Sequence, residues 1–236
     1  MHNDSRMPNI KPEPTERAKK IFQEACYTEN MEAKFGRTLT KEDNVVRKFI
    51  LSQTPTLGRI PSTVEISEEF SHFNKGKLEE ILNELDRFDA IHLDESKTNI
   101  IAAYPFSGSA TSYKVSYKRK EYKSIFAMCA IDALGISFMF DSDVSIESLC
   151  FHCEQKIEID VQDEEIISLN PKETVVWCDM EYSKCAATSL CRNINFFSSE
   201  EHFKKWQKGK VKSRGHLLRL DEAFYLGKLF FKERIN

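Results

Sequence analysis

No segment of this 236-residue chain is apolar for long enough to cross a membrane. The longest apolar stretch, residues 125–140, falls short of the roughly 20 residues a spanning helix needs. It also carries Asp132 in its middle, so it reads as a buried core helix. A basic excess is missing too: 34 Lys and Arg against 37 Asp and Glu leave a net charge of −3, without the surplus positive charge that neutralises phosphates. Neither nucleic acid nor membrane is an expected partner. Residues 1–14 lack the apolar centre of a secretory signal and carry Pro8, Pro12 and Pro14 instead. Residues 1–15 therefore read as a disordered tail and the location as cytoplasmic. Internal repeats and low-complexity tracts are absent. What is present, at 41% hydrophobic and 30% charged residues, suffices for one large or two small domains. Seven cysteines is an odd count, and in a reducing compartment thiols serve metal binding, catalysis or packing rather than disulfides.

Periodicity outlines the architecture. Residues 16–29 read as a helix, with Ala18, Ile21, Phe22 and Ala25 at spacings of three and four. Thr40 and Asp43 form a capping box ahead of Val45, Val46, Phe49, Ile50 and Leu51, and Pro55 with Gly58 is expected to break that helix. A second capping box, Ser62 with Glu65, opens a short helix through Phe70. The turn Phe73-Asn74-Lys75-Gly76 then leads into a third, with Leu78, Ile81, Leu82, Leu85 and Phe88 on one face. Strand-like runs at 90–93 and 99–104 follow, and three helices before a β-hairpin make a winged-helix-like layout over residues 16–106. A DNA-reading helix needs basic side chains, whereas residues 77–89 carry Glu79, Glu80, Glu84, Asp86 and Asp89 against Lys77 and Arg87. A structural or substrate-covering role is expected instead.

From Ser107 the pattern changes to short strands mixed with helices. The fold class is α+β, with a core over residues 107–236 built on mainly antiparallel strands. Strands are expected at 113–117, 144–149, 156–161, 165–169, 174–177 and 191–197. Ser198 with Glu201 is expected to cap a helix through Trp206, and residues 220–231 to form a terminal helix with Ala223, Phe224, Leu226, Leu229 and Phe230 inward.

The chemistry concentrates in cysteines and one acid. On a helix, Cys129 and Asp132 share a face with their Cβ atoms about 5–6 Å apart. An unpaired carboxylate in that apolar wall costs several kcal/mol, so burial should favour the protonated form. A neutral carboxylic acid beside a soft sulfur ligand is a proton donor within reach of a leaving group. Packing is the competing account, with Cys129 as a small hydrophobe and Asp132 bonded to backbone or an arginine. Cys191 stands at the mouth of an expected strand. Cys150-Phe151-His152-Cys153 is half of a tetrahedral metal knuckle, and Cys178, Cys185 or His152 could add ligands for a structural zinc. No second Cys-x-x-Cys completes it, so packing cysteines and auxiliary thiols stay open as readings. Cys26 reads as a packing residue. His202 and His216 lie in charged segments with Lys204, Lys205 or Arg214 nearby and read as solvated, like the turn at 118–120.

Three segments taken together carry a resemblance: Phe126-Ala127-Met128-Cys129-Ala130-Ile131-Asp132-Ala133-Leu134, Ser189-Leu190-Cys191-Arg192-Asn193-Ile194-Asn195-Phe196-Phe197 and Asp221-Glu222-Ala223-Phe224-Tyr225-Leu226-Gly227. In this order, over residues 113–231, the chain resembles the organomercurial (alkylmercury) lyase family. The resemblance implies that the family's two essential cysteines and its aspartate fall on Cys129, Cys191 and Asp132. It implies protonolytic cleavage of a carbon–mercury bond to a hydrocarbon and Hg(II), with Cys129 and Cys191 holding the mercury and Asp132 moving the proton. No organic cofactor is implied, and low-molecular-weight thiols or a mercuric reductase are the implied acceptors of Hg(II). Soft mercury prefers thiolate ligands, which agrees with the residue types. Two positions depart from the family pattern: Arg192, often a second Cys, and Met128, often Trp. Cys153 matches a structural position. A non-catalytic thiol protein holding Hg(II), Cu(I) or Zn(II), and a metal-responsive winged-helix regulator, are the rival readings.

Overall fold

An eight-stranded sheet joins the two halves of the chain. The computed structural model describes residues 9–26, 34, 36, 38–179, 191–208, 215–232 and 235. Among the described residues, α1 (Glu16–Cys26), α2 (Lys41–Leu57), α3 (Thr63–Glu69) and α4 (Lys75–Arg87) come first. The caps of α2 and α3 are those expected: Thr40 and Asp43, and then Ser62 and Glu65, exchange side-chain and backbone hydrogen bonds reciprocally. Pro55 does not end α2. The helix continues to Leu57, and Gly58, at φ 72°, supplies the left-handed cap. The first expected helix is described only to Cys26, and residues 27–29 lie outside the described ones.

The strands β1 (Ile91–Leu93), β2 (Ile100–Ala103), β3 (Phe106–Ser107), β4 (Tyr113–Tyr117), β5 (Ile125–Ala127), β6 (Val144–Leu149), β7 (Lys156–Gln162) and β8 (Glu165–Asn170) form one sheet in the order β1-β2-β3-β5-β4-β6-β7-β8. Every pairing in it is antiparallel. Because β3 pairs with both β2 and β5, the sheet passes Ser107 without interruption. A second sheet has the order β10-β9-β11, from β9 (Val175–Cys178), β10 (Ile194–Phe197) and β11 (His216–Arg219). The helices α5 (Ala130–Met139), α6 (Glu200–Gln207) and α7 (Leu220–Phe231) complete an α+β fold.

The apolar stretch 125–140 is not one helix. Its first residues form β5, and the helix starts only at Ala130. All ten residues of α5 are buried, so the segment has no amphipathic period from which a strand-to-helix change can be read. This burial rests on a close crossing with α7. A Cβ built on Gly135 would lie 2.0 Å from the Phe231 ring, and one on Gly227 would lie 3.0 Å from the Gly135 nitrogen. Arg17 of α1 pairs with the buried Glu222 of α7, fastening the N-terminal helix to the same layer. Residues 9–15 are not a free tail: Ile10 and Ile166 exchange two backbone hydrogen bonds of 2.9 Å along the β8 edge. Residues 1–8 lie outside the described ones.

Candidate functional site

Cys129 precedes α5 rather than belonging to it. Its backbone is extended (φ −153°) and its sulfur caps the helix, accepting from the Asp132 backbone N–H at 3.4 Å. The expected adjacency of Cys129 and Asp132 is present, but as an N-cap and first-turn pair instead of two points on a helical face. Both groups therefore sit where unpaired N–H groups and the helix dipole favour negative charge. Cys191 opens a single 3-10 turn (Cys191–Asn193) that feeds β10 and donates from its sulfur to the Asp132 carboxylate at 3.5 Å. The three side chains come together with their ligand atoms within 4.8 Å of one another. They are 1%, 1% and 3% exposed in the order Cys129, Asp132, Cys191.

This burial sets the protonation. It pushes the Asp132 carboxyl up to about 7, against hydrogen bonds from Cys129 and Cys191 and the charge of Lys34, which pull it down. Burial likewise pushes the Cys129 thiol up to about 11, although its hydrogen bond with Cys191 opposes the rise. The Cys191 thiol is raised well above its ordinary value, by that same hydrogen bond, by burial and by the Asp132 charge. Near neutral pH the carboxyl is the group poised between its two forms, and both thiols are protonated.

Three further residues shape the site and were not among those expected. Lys34 is buried, pairs with Asp89 and lies 5.5 Å over the Tyr104 ring, and its charge reaches both Asp132 and Cys191. The Tyr113 hydroxyl donates to Asn195 Oδ1 at 2.7 Å, and Asn195 Nδ2 donates to the Arg192 carbonyl at 3.0 Å, which fixes the turn that presents Cys191. Asn195 lies inside the Cys191 segment, so its proximity was legible. Lys34, far away in sequence, carried no local signal. Of the two departures from the family pattern, Arg192 is exposed and Met128 is half-buried.

A second group lies at the tip of the β6–β7 hairpin. Cys150 is buried, Cys153 is exposed, and His202 of α6 approaches both: its Nδ1 is 3.3 Å from Cys153 Sγ and 3.8 Å from Cys150 Sγ. His202 is thus not a freely solvated histidine. It is half-buried, with Nδ1 also 2.6 Å from Ser198 Oγ. Ser199, not Ser198, caps α6. Burial opposes ionisation of Cys150, but hydrogen bonds from the Ser198 side chain and from the backbone of Ser198, His152 and Cys153 outweigh it and lower the thiol to about 6. Cys178 is not part of this group. It lies in β9 opposite Ile194, where burial first and Cys129 second raise its thiol. Cys185 and the side chain of Cys26 lie outside the described residues. No helix among the described residues is long and apolar enough to cross a membrane.

The pattern of the family described as MerB, alkylmercury lyase, matches residues 106–232. Alkylmercury lyases of Bacillus cereus and Clostridium butyricum are each 31% identical to this chain over 111 residues, 45% of this chain and 49% of theirs. The chain thus matches about half the length of these curated relatives. An alkylmercury lyase of Staphylococcus epidermidis is 24% identical over 152 residues, 64% of this chain and 67% of that protein. The crystal structure of the mercury-bound form of MerB2 superposes with a TM-score of 0.72 over 94% of this chain and 100% of that one, at 22% identity.

Proposed function

The chain belongs to the alkylmercury lyase family, and from that premise we propose that it cleaves the carbon–mercury bond of organomercury compounds by protonolysis, with Cys129, Cys191 and Asp132 as the catalytic residues. The observation that carries this reading is the buried grouping of two thiols and one carboxyl within 4.8 Å, with the carboxyl raised to about 7. Two sulfurs at that spacing suit a soft two-coordinate metal, and a carboxyl poised at neutral pH both takes and gives a proton.

The proton inventory closes. One thiol displaces the substrate's labile ligand X, which leaves with the thiol proton as HX. The second sulfur then binds mercury, and its proton passes to the Asp132 carboxylate, 3.5 Å from Cys191 Sγ. Two electron-donating sulfurs make the metal-bound carbon basic. Asp132 returns the proton to that carbon as the carbon–mercury bond breaks, and the bonding pair forms the new C–H bond. The sum converts RHgX and two thiols into RH, HX and a dithiolate-bound Hg(II). No organic cofactor enters the scheme. Product departs by exchange with low-molecular-weight thiols or with a mercuric reductase in the cytoplasm. Lys34, from the N-terminal part of the chain, brings a positive charge to bear on Asp132.

Incubating the pure, reduced protein with phenylmercury and excess thiol tests the reading. Catalytic release of benzene is expected, whereas stoichiometric capture of phenylmercury without benzene would make the protein a thiol sink.

A further inference from the structure

We propose that Cys150, Cys153 and His202 form a second metal site, a three-ligand cradle for a zinc-class divalent cation that fastens α6 and β10 to the β6–β7 hairpin. Three observations carry it. The first is ligand geometry. Zinc bonds of roughly 2.3 Å to sulfur and 2.1 Å to imidazole nitrogen, set at the tetrahedral angle, separate S and N by about 3.6 Å. The observed separations of 3.3 and 3.8 Å from His202 Nδ1 bracket that value. One nitrogen thus faces both sulfurs of a Cys-x-x-Cys at the spacing a shared cation requires.

The second is the loop. Cys150 N–H donates to the Gln155 carbonyl at 2.8 Å and Glu154 N–H to the Cys150 carbonyl at 2.9 Å, with Glu154 in the left-handed region at φ 61°. This tight closure turns Cys153 back beside Cys150, so that both sulfurs and a His202 ring nitrogen lie within 4.8 Å of one another. The third is access. Cys153 is exposed and Cys150 is buried, so one side of the cradle opens to solvent and leaves a fourth position for water or for His152, whose ring lies 5.6 Å from that of His202.

The consequence is mechanical. Phe151 N–H already donates to the Phe196 carbonyl of β10 at 2.9 Å. A cation held by Cys150, Cys153 and His202 adds a stronger clasp at the other end of β10 from Cys191, and so stiffens the strand that presents that thiol.

The test uses the full-length protein, purified under reducing conditions without added metal. Zinc should be present at about one equivalent. Replacing it with Co(II) should give the thiolate-to-cobalt charge-transfer absorption of a tetrahedral sulfur-containing site. That absorption should be lost in Cys153→Ser and in His202→Ala, with folding checked by circular dichroism, and retained in a Cys129→Ser, Cys191→Ser double variant. Because Cys153 is exposed, zinc should also slow its alkylation by iodoacetamide in the unmutated protein, a readout that needs no variant. Absence of charge transfer and of alkylation protection overturns the proposal. So does a cobalt signal that persists in Cys153→Ser and His202→Ala but vanishes in the Cys129→Ser, Cys191→Ser protein. Neither result bears on benzene release at the buried site.

Discussion

The inner trio of Cys129, Asp132 and Cys191 and the outer trio of Cys150, Cys153 and His202 are built from similar donors, yet their surroundings push thiols in opposite directions, up at Cys129 and Cys191 and down at Cys150. In the inner trio all three residues are buried, and burial wins: the Cys129 thiol rises to about 11 and the carboxyl to about 7. In the outer trio burial also opposes ionisation of Cys150, but four hydrogen bonds from Ser198, His152 and Cys153 outweigh it and bring the thiol to about 6. A site that keeps its protons can spend them on a substrate carbon. What surrounds the sulfur, not the element itself, sets which way its pKa moves.

The largest expected effect separates the two trios directly. Cys129→Ser and Cys191→Ser should each abolish turnover while the protein stays folded, because an alcohol is a poor mercury ligand and stays protonated at neutral pH. Cys150→Ser with Cys153→Ser should lower thermal stability and leave the chemical step of a single turnover intact. Hydrocarbon release at the wild-type rate from either inner variant would erase the distinction.

The burial that defines the inner trio depends on the α5–α7 crossing. A Cβ at Gly135 would meet the Phe231 ring at 2.0 Å, so Gly135→Ala should cost about 1–3 kcal/mol through forced repacking. Thermal denaturation measures this, and an unchanged melting temperature would show that the crossing has slack. A smaller effect is expected from Tyr113→Phe, which removes the donor to Asn195 Oδ1. About 0.5–1.5 kcal/mol should be lost, with slower turnover as the Cys191 turn loosens.

A further effect is a slope. Asp132 is held above its unfolded pKa, so between the ordinary carboxylate range and about pH 7 the folded state binds a proton that the unfolded state has released. Stability from this group is fully present at low pH and is lost as pH rises to about 7. Asp132→Asn should flatten that part of the melting-temperature profile. The rate should move the other way in the wild type, with kcat/KM rising through about pH 7 as the carboxylate that receives the thiol proton forms.

Much of this was legible in the sequence where one physical signal dominated. The terminal helix Leu220–Phe231 and the strand Val144–Leu149 match their expected bounds, because each buries one face and exposes or half-buries the other. The capping boxes at Thr40 and Ser62 are local and were legible for that reason. The stretch 125–140 was not, since burial all round removes the period that separates strand from helix. Strand β3 has two residues, too few to show any alternation. At the candidate site, Cys129, Asp132 and Cys191 are singled out by the resemblance and the chemistry of their side chains, and the fold brings the three together. His202 was misread because its charged neighbours Lys204 and Lys205 face solvent from the same helix that turns the imidazole to Cys150 and Cys153. Which way a residue faces is decided by packing, and local composition does not record it.

The division of labour within the inner trio is tested most directly by intact-mass spectrometry of Asp132→Asn after exposure to phenylmercury. The variant keeps both thiols and loses the titratable proton. An adduct bearing mercury with its phenyl group still attached should accumulate, and benzene release should slow by about 10²- to 10⁴-fold. Benzene at the wild-type rate, or no adduct at all, would contradict the assignment of capture to the cysteines and of proton delivery to Asp132.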